Sequence, residues 1–144
     1  PDWSAFIRPV CVAVASFDSM KKLALLIVDH GSTRSDANNL LPEVARMVKQ
    51  MSDFEIVCYA HMELAEPTVQ EGFNACVADG AQEVIVHPYF LGPGRHSVSD
   101  IPHLVAEAAA GHPGVSYRIT PPLGLDPKMG ELILQRVRES THKE

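Results

Sequence analysis

Seven histidines stand beside a single tryptophan in this 144-residue chain, and three of those histidines fall in segments that can do chemistry. His30 lies in Asp29-His30-Gly31-Ser32-Thr33-Arg34, directly behind an apolar run. His96 lies in Pro88-Tyr89-Phe90-Leu91-Gly92-Pro93-Gly94-Arg95-His96-Ser97, behind another. Each segment pairs one histidine with one arginine, and a third segment offers His61-Met62-Glu63. Two imidazoles with an open carboxylate nearby suit a site that holds a divalent metal loosely, or one that moves protons near neutral pH. Imidazole titrates at about 6.5 when unperturbed and binds borderline metals well. Other chemistries lack their residues. There is no GxGxxG and no GxxxxGK[ST] to cradle phosphates. Ser32 is not in a GxSxG elbow, and neither HExxH nor a cysteine-based zinc pattern occurs.

Each of these residues also has an ordinary structural use. Gly31, Gly92 and Gly94 suit turns, Arg34 and Arg95 suit solvated surface, and Tyr89 and Phe90 suit the end of a core strand. His61 reads equally as a strand-edge residue or as a support for the site. His87 is expected to point into the helix layers, and His103, His112 and His142 to be solvated.

The elements that must position these groups alternate in type from Lys22 onward. Leu23-Ala24-Leu25-Leu26-Ile27-Val28 is a continuous apolar run, as expected of a strand buried on both faces. Leu40, Val44, Met47, Val48 and Met51 recur at helical spacing and predict one amphipathic helix over 36–51. A second strand is expected over 54–60. A second helix is expected to begin at Glu66-Pro67, with proline in its first turn, and to end at Gly80. The third strand follows over 83–87, then the Gly/Pro loop, then a third helix capped by Ser99 or Asp100. A strand over 115–120 and a helix carrying Met129, Leu132, Ile133 and Val137 complete the pattern.

βαβαβαβα with right-handed crossovers predicts a single α/β domain, a four-stranded parallel sheet covered by helices on both faces. In the flavodoxin-like order 2-1-3-4, ligands bind beyond the carboxyl ends of strands 1 and 3, where strand order reverses. His30 and His96 both leave the sheet at that point.

Composition narrows the partners. Apolar residues make up 46% and the net charge is −6, without a Lys/Arg-rich run, so the footprint of a nucleic-acid binder is missing. No apolar stretch approaches the roughly 20 residues of a membrane span. Cys11, Cys58 and Cys76 form no CxxC and suit a reducing compartment. Residues 1–19, with a short apolar run behind Arg8, read as an extension of unknown role, and residues 20–140 as the domain.

These segments resemble the single-domain sirohydrochlorin chelatases, the CbiX/SirB branch of the class II tetrapyrrole chelatases. The resemblance is carried in order by Val28-Asp29-His30-Gly31-Ser32, Ala60-His61-Met62-Glu63-Leu64-Ala65-Glu66-Pro67-Thr68, the 88–96 segment, Asp100-Ile101-Pro102 and Pro121-Pro122-Leu123-Gly124. It runs from about Lys22 to Arg138, and the MELAEP and GRH-x-x-x-DIP forms look most like the ferrochelatase members. The cysteine pair or histidine-rich tail of some relatives has no counterpart here.

The resemblance implies insertion of Fe2+ into sirohydrochlorin, an octacarboxylate tetrapyrrole, to form siroheme. It makes His30 and His96 the metal and proton-transfer residues and Glu63 a ligand or proton relay. Ser32, Arg34, Arg95 and Ser97 are then placed to meet substrate carboxylates, with a favourable helix dipole near Ser35. The metal is a substrate, and no permanently bound cofactor is expected. A homodimer is expected too, since larger class II chelatases resemble two such domains facing each other. Cobalt or nickel insertion, or a metal or tetrapyrrole carrier without catalysis, are the alternatives. The expected location is cytoplasmic, or the plastid stroma if residues 1–19 belong to a transit segment.

Overall fold

The structure, a computed structural model, describes residues 21–141, apart from the side chains of His96 and Ser97. The extension at 1–19, Cys11 and His142 therefore lie outside the described residues.

Four strands form one parallel sheet: β1 (Leu23–Asp29), β2 (Ile56–His61), β3 (Glu83–Pro88) and β4 (Ser116–Ile119), in the order β2-β1-β3-β4. This is the expected order, with β1 and β3 adjacent at its centre. The helices are α1 (Ser35–Asn38), α2 (Leu40–Met51), α3 (Val69–Ala78), α4 (Ile101–Ala110) and α5 (Pro127–Ser140). β1 is apolar on both sides because both sides are covered. Ala24, Leu26 and Val28 join β3, α3 and α4 in the larger core, around Phe73, Ile101 and Val105. Ile27 faces the other way, against Leu41, Val44 and Ala45 of α2. Gly72 lets α3 come close, since a Cβ there would lie 2.8 Å from that of Ala60 and 2.9 Å from Leu26 Cδ1.

Several local expectations are corrected. The helix expected over 36–51 is broken at Asn39, because the Asn38 side chain turns back to the preceding loop, donating to Ser32 O at 2.7 Å and accepting from Ser32 N at 2.9 Å. Pro67 does not open α3. It lies in a cis Glu66-Pro67 bond, and Thr68 caps the helix in a reciprocal box with Glu71. Asp100 does not cap α4 with its side chain, because its backbone is already helical (φ −73°, ψ −44°) at the end of a five-residue π turn, His96–Asp100. α5 forms where expected, yet none of its residues is buried: Leu132, Ile133, Leu134 and Val137 are 43–62% exposed. Cys58 and Cys76 are free thiols that hydrogen-bond to each other, which holds Cys58 below its usual range and pushes Cys76 above it.

Candidate active site

Parallel pairing sets the site before any side chain is considered. Asp29 stands opposite His61, and Val28 opposite Pro88, so the chains leaving β1, β2 and β3 emerge side by side. Backbone pairing continues past the strands: Met62 N donates to Asp29 O (2.8 Å) and Glu63 N to His30 O (3.0 Å). On the other flank Tyr89 N donates to Val28 O at 2.7 Å. The 121–124 loop joins through Leu123 N to Phe90 O and Gly124 N to Leu91 O.

This register brings His30 and Glu63 together. His30 Nε2 lies 2.8 Å from Glu63 Oε1, and Nδ1 lies 2.9 Å from Gly31 O. Both side chains remain partly open to solvent, at 38% and 52% exposure. A carbonyl and an ionised carboxylate only accept, so the ring satisfies both when each nitrogen carries a proton. Without the Nε2 proton, a lone pair and a carboxylate face one point, the arrangement a cation bridges. Among the described residues, no group of three His, Cys, Asp or Glu gathers closely enough to hold a metal by itself.

Beneath this pair sits a second one. His61 is 1% exposed, and its Nδ1 lies 2.6 Å from Asp29 Oδ1. An ionised Asp29 only accepts, which places a proton on Nδ1. Gly31 closes the layers together: its φ is +86°, and a Cβ there would lie 1.9 Å from Glu63 O and 3.1 Å from His61 Cβ. The glycine thus serves a close backbone approach to Glu63 rather than a turn alone. Leu64, the residue after Glu63, adopts φ +66° and is 59% exposed, a strained backbone of the kind found at functional loops.

An open cleft of about 270 Å³ lies beside His30, with Gly31, Ser32, Asn38, Tyr89 and Phe90 in its wall. Ser32 Oγ accepts from Arg34 N at 3.0 Å, which fixes the loop. The Arg34 guanidinium forms a two-point pair with Asp36, at 3.2 and 2.8 Å, and holds the Asp36 carboxyl below its usual range. That pair also corrects the expected dipole near Ser35, since α1 is only four residues long and carries an anion of its own. Arg95 is exposed on the β3 loop, and the backbone of His96 and Ser97 starts the π turn. Leu91 is exposed, Tyr89 and Phe90 half-buried.

The other described histidines lie away from this pair. His87 Nδ1 lies 2.7 Å from Thr120 Oγ1 at the sheet edge, and burial pushes its pKa down. His112, expected in solvent, stacks on Phe73 (5.8 Å) and bonds Asn74. His103 is exposed beside Glu107. Sequence reasoning missed Asp29, Asn38 and Leu64. Only Asp29 carried a signal, as a carboxylate at the last position of an apolar strand.

A family model described as CbiX matches residues 24–140. The chain is 46% identical over 114 residues to a chloroplastic sirohydrochlorin ferrochelatase of Arabidopsis thaliana, covering 79% of this chain and 51% of that one. It is 32% identical to a sirohydrochlorin cobaltochelatase of Methanopyrus kandleri, covering 85% and 99% respectively. Its fold is similar to the sirohydrochlorin chelatase SirB from Bacillus subtilis subspecies spizizenii in complex with cobalt, with TM-score 0.77 and 30% identity over 82% of this chain and 50% of SirB. SirB from Bacillus subtilis has also been solved with Fe3+. The chain thus spans about half the length of the plant relative and of SirB.

Proposed function

The chain belongs to the CbiX family, and from that premise we propose that it is a sirohydrochlorin ferrochelatase, inserting Fe2+ into sirohydrochlorin to form siroheme. The observation that carries this reading is the 2.8 Å approach of His30 Nε2 and Glu63 Oε1 at the carboxyl ends of adjacent strands. Metal insertion must remove two pyrrole protons while the ion sheds its earlier ligands. His30 and Glu63 hold the incoming ion where they now face each other, with His96 from the β3 loop as a further donor. As the ion passes into the ring, the imidazole it vacates takes the two pyrrole protons in turn, and Glu63, half open to water, passes each on to solvent. General-base transfer of this kind contributes about 10²–10⁴ in rate. The metal is a substrate throughout, and no permanently bound cofactor is required.

The tetrapyrrole lies across the cleft rather than in it. A volume of about 270 Å³ falls below the roughly 300–1,000 Å³ of sites that enclose drug-sized ligands. Exposed Leu64 and Leu91 flank the site and suit an apolar macrocycle face. Arg34, Arg95, Ser32 and Ser97 meet its carboxylates, with Arg34 exchanging Asp36 for the substrate.

An uncovered ring face calls for a second wall, and a homodimer supplies it. Two features support the pair: the apolar stripe of α5, which the other described residues leave 43–62% exposed, and relatives in which the matched segment fills only about half the length. A two-fold dimer is the commonest symmetry for such pairing. Among the described residues no helix is long and apolar enough to cross a membrane. A reducing compartment, the cytoplasm or the plastid stroma, fits the free thiols, and the plant relative is named chloroplastic. No nucleic-acid partner is part of this reading. Residues 20–140 form the chelatase domain, with 1–19 an extension to it.

Cobalt insertion is the second reading, favoured by the near-complete coverage of the Methanopyrus protein. Anaerobic, absorbance-monitored metallation of sirohydrochlorin separates them. Faster conversion with Fe2+ than with Co2+, each corrected for the protein-free rate, supports the first. Rates equal to the protein-free control for both ions leave only a carrier.

A further inference from the structure

We propose that Asp29 and His61 are a positioning pair that sets the separation and orientation of His30 and Glu63. The proposal rests on the chelatase reading above and assigns a role to two residues that touch neither ion nor substrate in it.

Three observations carry it. First, the pair is built like a support. His61 is almost wholly buried, and Asp29 is the residue whose Oδ1 its Nδ1 meets at 2.6 Å, at the short end for a bond to a carboxylate. Second, the pair is placed at the root of both loops. Asp29 immediately precedes His30, and His61 lies two residues before Glu63, so the side-chain bond spans the two strands just below the site. The backbone bonds Met62 N to Asp29 O and Glu63 N to His30 O continue that clamp to the reacting residues. On its other side His61 N donates to Pro67 O at 2.8 Å, which returns the 62–67 loop to the end of β2. Third, the layers above it are close. Gly31 has no room for a Cβ between Glu63 O and His61 Cβ, so the β1 loop lies directly against both the His61 stem and the Glu63 backbone.

The chemistry of such a support is to fix a ring and its tautomer. An ionised carboxylate opposite Nδ1 holds the proton there and stops the imidazole from turning. Residues that hold metal-binding groups in this indirect way typically alter metal affinity or activity about 10–100-fold when changed.

The test is Co2+ binding without tetrapyrrole, followed by the visible spectrum and by calorimetry, on the full chain and on Asp29→Asn, His61→Leu and His61→Asn. Thermal melts establish the folded fraction of each. Packing alone ranks leucine above asparagine at a buried position. Positioning ranks them the other way, because asparagine keeps an N–H near the place of Nδ1. The proposal predicts Co2+ affinity reduced about 10–100-fold in Asp29→Asn and His61→Leu, with an altered spectrum and partial recovery in His61→Asn. In turnover, kcat falls in the first two while KM for sirohydrochlorin stays within about twofold, since substrate binding is not what they set. Unchanged affinity and spectrum in folded Asp29→Asn overturn the proposal while leaving the chelatase reading intact. If His61→Leu fails to fold, Asp29→Asn decides alone. No Co2+ binding by the unaltered protein overturns both.

Discussion

At the scale of single residues, the site depends on one atom's worth of space. A methyl group at position 31 would stand 1.9 Å from Glu63 O, in a backbone conformation that disfavours any side chain. Gly31→Ala is therefore expected to cost about 2 kcal/mol or more of stability and to lower metal affinity, because the strand ends must part to admit it. A thermal melt and a Co2+ titration read the two effects. Arg34 gives the opposite kind of prediction. Its guanidinium is paired with Asp36, an exposed carboxylate that would compete with those of the proposed substrate. Asp36→Ala is expected to lower KM for sirohydrochlorin by about two- to fivefold with kcat little changed, as removal of a ground-state competitor should. An increase in KM would mean that Asp36 orients Arg34 for binding instead.

At the scale of elements, the central strand β1 was legible because burial on both faces leaves an unbroken apolar run over 23–28. Handed crossovers gave the parallel sheet, and the order β2-β1-β3-β4 matches the flavodoxin-like arrangement expected for it, which brings the β1 and β3 loops together. What was not legible arose from side chains bonding backwards along the chain. Asn38 stops α1 by holding Ser32, and Thr68 takes the cap from Pro67 by reciprocal bonds with Glu71. Neither interaction has a hydrophobic period. The approach of His30 to Glu63 was legible only as a shared crevice, since the residue count does not fix register. The role of Gly31 was hidden because its obstructing neighbour lies 32 residues on, at Glu63 O.

The β3–β4 edge adds a pH dependence of folding. Thr120 Oγ1 donates to Pro121 O, so it accepts from His87 Nδ1, and burial disfavours a charge on that ring. The folded state thus binds this proton less readily than the unfolded chain. Stability from this group is complete above the ordinary histidine range and is lost as pH falls below about 6.5. Melting temperature should drop between pH 7 and pH 5, and the drop should be smaller in His87→Gln. An equal drop in both proteins would assign it to other histidines.

At the scale of the whole molecule, the helices divide unevenly. α2 covers one face of the sheet, α3 and α4 the other, and α5 stands with Leu132, Ile133 and Val137 exposed. An apolar stripe of this kind is costly in water unless another surface covers it. Light scattering is expected to give about twice the chain mass of 15.7 kDa. A charge within the stripe, in Ile133→Glu, is expected to return the mass to that of one chain and to raise KM, because the second wall of the substrate site is lost. A monomeric mass in a fully active sample would contradict the dimer.

The proposed insertion rests on His30, which meets Glu63 at the end of β1, and on His96, proposed as a further donor from the loop after β3. The account is tested most directly by the anaerobic rate of Fe2+ insertion into sirohydrochlorin for the unaltered chain, His30→Ala, His96→Ala and the exposed control His103→Ala. The prediction is an accelerated rate in the unaltered chain and the control, and a loss of about 10²-fold or more in each of the other two, with melting temperatures little changed. Rates near that of the unaltered chain in both His30→Ala and His96→Ala would contradict it.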